Sequence, residues 1–198
     1  KLLPVIAEAN LENLGAQRQG RDIYANDPAR LAPTAMMIVA LIGLATSLMA
    51  AFTALMQSDI KRILAYSTIS QLGMLVMLLG FSREAAAMAA VLHILNHAAF
   101  KAAMFMSAGI VEHETGTRDI RRLGGLAKAM PITALIATLA AAAMAGLPPL
   151  GGFISKELML EQTIELPFAD PAWVVPLLAT IGAGFSVTYS LRLAVHLF

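Results

Sequence analysis

Apolar and polar positions alternate along the chain in long blocks. PTAMMIVALIGLATSLMAAFTALM, residues 33–56, has no charged side chain and predicts a first membrane-spanning helix. Ser58 and Asp59 form a helix-start signal for a second span ending near Gly80, with Lys61 and Arg62 in its first turn where they can snorkel to headgroups. A short Ser82-Arg83-Glu84 turn precedes a third span over 85–111, and a charged loop follows at 112–129. A fourth apolar stretch, 130–163, is interrupted at 147–152 by LPPLGG: Pro148, Pro149, Gly151 and Gly152 do not continue a regular helix. A loop around Pro167 to Pro171 leads to a fifth span at 173–197. Residues 1–10 look like the end of a preceding helix and 11–32 like an extramembrane loop; the opening KLLPVIAEAN, without an initiator Met, reads as a segment of a longer polypeptide. The expected fold is therefore all-α: a polytopic membrane bundle of five spans, one of them broken.

Composition agrees. Of 198 residues 58% are hydrophobic and 14% charged, against about a quarter charged in ordinary soluble domains. The mean hydropathy is +0.72. A net charge of +1 points to no nucleic acid, and the absence of cysteine excludes disulfides and thiolate metal sites.

Polar groups inside the spans carry the chemistry. His93, His97 and Lys101 recur every fourth residue and so stack along one face of the third span, about 6 Å apart along the axis. A lysine near mid-membrane costs about 2.5–3.5 kcal/mol on insertion scales, a cost accepted where the group faces a wet or polar interior. Lys101 lies too deep for easy snorkelling, and two histidines in line with it make a file of protonatable groups. Their separation exceeds hydrogen-bond reach, so water must fill the gaps. A zinc site is disfavoured because HILNH lacks the glutamate of HExxH and Lys101 would repel a cation. No metal or other cofactor is expected. Lys156 and Glu157 lie in the second half of the broken helix, and broken membrane helices mark transport sites. Tyr66, Ser67, Thr68, Ser70 and Gln71 are too many polar groups for a lipid-facing helix; Ser67, Ser70 and Gln71 read as bundle contacts or ligands of water. Asp59 is a cap or an ion-pair member at the membrane edge. Tyr189 and Arg192 are expected to anchor a span end, and His113 and His196 to lie at the interface.

SDIKRILAYSTISQLG (58–73), HILNHAAFKAAMFMSAGI (93–110) and GLPPLGGFISKE (146–157) together resemble the antiporter-like proton-translocating subunits shared by respiratory complex I, membrane-bound hydrogenases and Mrp-type sodium/proton antiporters. VEHETGTRDIRRLGGL (111–126) and the closing IGAGFSVTYSLRLAVHLF are similar in particular to the A subunit of Mrp antiporters. The resemblance implies the second of two inverted five-helix repeats. It places His93, His97 and Lys101 on a central proton path and Lys156 at its exit side. It implies sodium/proton antiport, without catalysis, beside other small hydrophobic subunits in the cell membrane. The alternatives are a proton-pumping subunit of a redox-driven complex, such as NADH:quinone oxidoreductase or a hydrogenase, and a membrane scaffold whose ionisable residues only pair internally. Lys61, Arg62, Arg118, Arg121, Arg122 and Lys128 on one side, against Lys1, Arg18, Arg21, Arg30 and Arg83 on the other, favour a cytoplasmic 112–129 loop.

Overall fold

The computed structural model describes residues 28–164 and 173–198; the expected helix end at 1–10, most of the 11–32 loop and the 167–171 loop lie outside the described residues. Six α-helices follow one another: α1 (Pro28–Met56), α2 (Ile60–Gly80), α3 (Glu84–Thr115), α4 (Pro131–Ala145), α5 (Gly151–Ile164) and α6 (Val174–Leu197). Four of them, α1, α2, α3 and α6, are long and apolar enough to cross a membrane, and α4 is a shorter apolar helix that resumes as α5. The chain is a polytopic helical membrane protein.

Three boundaries differ from expectation. Residues 28–32, expected in a loop, are helical, because Pro28 is suited to a first helical position and hydropathy marks membrane entry at Thr34 rather than the helix start. Residues 112–115 continue α3 to Thr115, where Gly116 adopts a left-handed conformation (φ 68°) and its N–H closes on the Glu112 carbonyl. The break is centred earlier than the sequence suggests. Gly146, left-handed at φ 86°, caps α4, while Gly151 and Gly152 already belong to the first turn of α5. These two glycines serve close approach. A Cβ on Gly152 would run into the Ala143 carbonyl, and one on Gly151 would lie 2.6 Å from Asn96 Oδ1.

Helices α1 and α2 pack through small residues, as expected where lipid supplies no hydrophobic drive and close contact must hold the helices together. A methyl on Gly73 would come within 2.6 Å of the Ser47 amide nitrogen and 2.8 Å of the Gly43 carbonyl. One on Gly80 would come within 2.6 Å of the Ala40 nitrogen. Two apolar clusters form. One gathers Ile63, Leu64, Phe100, Met144, Tyr189 and Leu193; the other gathers Met77, Leu78, Ala86, Ala90, Met159 and Ala179. Along α2, α3 and α6 the polar residues Gln71, His93 and Ser186 fall between the two. Outward faces carry exposed Ile42, Met49, Leu95, Met106, Leu135 and Val195, the surface a bilayer covers.

The loop after α3 is clamped onto the turn before α2. Ile60 N–H donates to the Arg118 carbonyl (3.0 Å) and Ile120 N–H to that of Ser58 (2.9 Å). Asp59 caps α2 by accepting from the Arg62 amide (3.0 Å). Glu112 bridges Lys61 (2.6 Å) and Arg118. Hydrogen bonds from Arg121 hold the Asp119 carboxyl down to about 2. Its contribution to the clamp is therefore present above the ordinary carboxylate range and lost only as pH falls through about 2.

Gly73→Ala should separate α1 from α2 and cost about 1–3 kcal/mol. Thermal unfolding in detergent checks this, and an unchanged midpoint would contradict the packing described.

Candidate functional site

The buried side of α3 carries the three ionisable residues of the file. His93 is 0% exposed, His97 9% and Lys101 6%, while their neighbours Leu92, Leu95 and Met106 face outward. The fourfold spacing thus puts the whole file inside the bundle. The His93 and His97 rings are 6.0 Å apart between centroids, and Phe100 packs edge-on against both, at 6.3 and 5.3 Å.

The three members are held differently. Lys101 Nζ donates to the Leu64 carbonyl (3.1 Å) and to Ser67 Oγ, both on α2. Ser67 in turn donates to the same carbonyl (2.8 Å). His93 Nε2 meets Gln71 Oε1 at 2.9 Å and its Nδ1 meets Ser155 Oγ at 3.0 Å, so α2 and α5 grip opposite edges of the ring. His97 Nδ1 is buried without a protein hydrogen-bond partner.

Lys156 is half-buried and, among the described residues, forms no ion pair with Glu157 or Glu161. Its Nζ donates to the carbonyls of Met144 (2.6 Å) and Ala145 (3.3 Å) and to Ser186 Oγ (2.8 Å). The first two are orphan carbonyls at the C-terminal end of α4, where a cation is favourable. The break therefore builds the lysine's binding site from backbone dipoles. Pro148 and Pro149 lie in the turn between α4 and α5 and contribute no side-chain polar group. Glu157 is exposed and lines, with Glu161, Thr180 and Gly184, a groove of ≈ 670 Å³ between α5 and α6 that reaches Lys156.

Of the supporting residues, Ser67 and Gln71 join the network, and Ser70 contacts Ser47 across α1–α2 at 3.4 Å and lies beside the Tyr189 hydroxyl. Asp59 is at the loop clamp, away from the file. Tyr189 is a correction. Expected to anchor a span end, it is wholly buried, accepting from Gln71 Nε2 (3.1 Å) and donating to Ser186 Oγ (3.1 Å). It lies on the face of α6 that carries Ser186 and Leu193 inward, toward Gln71 of α2. Arg192 donates to the Leu55 carbonyl at the end of α1. Ser155 and Ser186 are additions that the structure makes to the site. Their signal lies in the Ser186, Tyr189, Ser190 spacing on an otherwise apolar helix and in the serine adjacent to Lys156.

The chain is a helical membrane bundle with a broken helix and an interior that gathers histidines, lysines, hydroxyls and an amide. The family described as NADH:quinone oxidoreductase/Mrp antiporter, TM, matches residues 24–185, and the chain belongs to it. It is 56% identical over 156 residues to the A/B subunit of a probable K(+)/H(+) antiporter of Rhizobium meliloti, covering 78% of this chain and 16% of that protein. It is 47% identical over 173 residues to the A subunit of the Na(+)/H(+) antiporter of Bacillus subtilis, covering 79% and 22%. The fold matches a chain of the Mrp complex from a Dietzia species with a TM-score of 0.74 and 43% identity, over 81% of this chain and 18% of that one. A chain of the archaeal membrane-bound sulfane sulfur reductase matches with a TM-score of 0.76 and 32% identity, over 83% and 27%. The chain spans about a fifth of the length of the curated relatives it matches.

Lys156→Met should leave the Met144 and Ala145 carbonyls without their donor and cost about 1–3 kcal/mol. The check is thermal unfolding of the purified protein, where a wild-type midpoint would remove Lys156 from the structure of the break.

Proposed function

We propose that this chain is the proton-carrying repeat of the A subunit of an Mrp-type antiporter, exchanging protons for a monovalent cation, sodium by the resemblance. The observation that carries the reading is the set of four basic side chains in one bundle, His93, His97 and Lys101 buried and Lys156 half-buried. Among the described residues no carboxylate is paired with any of them in a salt bridge. Buried charge without a counter-ion is costly, and a group that loses and regains its proton escapes that cost for part of its cycle. Protons move along the file through intervening water, since the rings are 6.0 Å apart. Cation exchange couples to this movement through electrostatic repulsion between the lysines, with no covalent step. The site moves ions and catalyses no bond change.

The partners are other hydrophobic subunits of an antiporter complex, and the location is the cell membrane with the 112–129 loop cytoplasmic. The clamp of that loop onto residues 58–60 supports placing both segments, with their basic residues, on one side. The likeness to a respiratory membrane complex keeps a redox-driven pump as the second reading. Higher identity to the antiporter subunits favours the first. Co-purification of flavin or iron–sulfur proteins with the native complex would move the chain to the second.

Lys101→Ala should reduce sodium- or potassium-dependent proton exchange at least about tenfold in everted membrane vesicles, with the complex assembled at normal abundance. Unaltered exchange in that variant would refute the proton path.

A further inference from the structure

The hydrogen bonds around His93 run further than the file itself. Gln71 of α2, 3% exposed, sits between the His93 ring and the hydroxyls of Ser186 and Tyr189 on α6. Tyr189 has one hydroxyl hydrogen and gives it to Ser186 (3.1 Å), so its oxygen accepts from Gln71 Nε2 (3.1 Å). That fixes the amide with Oε1 on His93. A carbonyl oxygen only accepts, so His93 Nε2 carries hydrogen in the neutral ring and in the charged ring alike.

We propose that Gln71 is a positioning residue that confines proton uptake and release by His93 to Nδ1, on the Ser155 side, and ties the ring to Lys156 through Tyr189 and Ser186. This rests on the proton-path reading above and specifies its geometry. In the neutral ring the Ser155 hydroxyl donates to Nδ1 (3.0 Å). When a proton arrives from water on the path, Nδ1–H donates to Ser155 Oγ. The serine hydrogen then turns to the Gly152 carbonyl, 3.3 Å away in the first turn of α5. One proton is gained, one hydroxyl rotates, and neither His93 nor Ser155 is left with an unmatched polar atom. Gln71 passes no proton itself; its Nε2 donates to the Tyr189 hydroxyl (3.1 Å), which donates to Ser186 Oγ (3.1 Å), and Ser186 accepts from Lys156 at 2.8 Å. Among the described residues, His93 is therefore the member of the file linked to Lys156. Lys101 is bonded instead to Leu64 and Ser67. Within the hydrogen-bond network, Lys156 is thus tied to His93 and not to Lys101.

The titratable groups near His93 are His97 on its own helix and Lys156 from α5, with Tyr189 of α6 beyond the Gln71 amide. From α2 His93 meets Gln71, and α4 has no titratable side chain. A change at Gln71 is thus read through a small, defined set.

The test is the pH profile of cation-driven proton exchange in everted vesicles that carry the assembled complex, for Gln71→Leu, Gln71→Glu and Ser155→Ala, using sodium and then potassium chloride as the driving salt. Gln71→Leu removes the acceptor that the charged ring needs at Nε2. Exchange should fall about tenfold at the wild-type optimum, with its midpoint displaced about one unit to lower pH. Gln71→Glu places a carboxylate there and should retain exchange with the midpoint displaced to higher pH. Ser155→Ala, which removes the acceptor at Nδ1, should move it to lower pH. Opposite displacements for leucine and glutamate support the proposal. Loss of rate with an unmoved midpoint, displacement of both in the same direction, or wild-type behaviour overturns it. If Gln71→Leu does not assemble, Gln71→Glu and Ser155→Ala decide between the same outcomes. Lys101→Ala in the same assay separates the two readings. If it abolishes exchange while the Gln71 variants behave as wild type, only the role of Gln71 falls; if it too is silent, the proton path falls.

Discussion

The constraint that shapes this bundle is that buried cationic groups in a membrane must find oxygen atoms or water. Hydrocarbon offers neither, and each unmatched polar group costs several kcal/mol. The chain answers with oxygen from three sources. Lys101 takes the Leu64 carbonyl and the Ser67 hydroxyl. Lys156 takes the terminal carbonyls of α4, which are free because the helix stops at Gly146. His93 takes an amide and a hydroxyl. Helix breakage and cation burial are therefore one device. An unbroken fourth span would use the Met144 and Ala145 carbonyls in its own backbone and leave Lys156 nothing to bond.

The same constraint explains why the polar layer lies where it does. Ser67, Gln71, His93, Ser155 and Ser186 come from four helices, and each is flanked on its own helix by residues of the apolar clusters. Close α1–α2 contact through Gly43, Gly73 and Gly80 holds α2 in place, so the register of Gln71 and Ser67 against α3 depends on small residues facing away from the site. Position and chemistry are thus supplied by different faces of the same helix.

Much of this is legible in the sequence, and the part that is not has a physical cause. Spans, the break and the His93, His97, Lys101 file follow from hydropathy and fourfold spacing, which are properties of single helices. The partners of Lys156 do not follow, since Glu157 and Glu161 are its neighbours in sequence while its true partners are backbone carbonyls, which carry no residue-specific signal. Tyr189 escapes for a related reason: nearness to the end of a span suggests closeness to the membrane surface, yet the helix carries it to the centre of a cluster. Gly151 and Gly152 suggest a helix break because glycine is permissive. Their neighbours, Asn96 and the Ala143 carbonyl, show that the missing side chain matters more than the backbone freedom.

The measurement that tests the central claim most directly is proton flux in proteoliposomes that contain the purified complex and no electron donor. A sodium or potassium gradient is imposed and internal pH is followed. The account predicts proton movement opposite to the cation and dependent on its gradient. Protons that stay still until an electron donor is supplied would contradict it, and would assign the same lysines and histidines to a redox-driven pump.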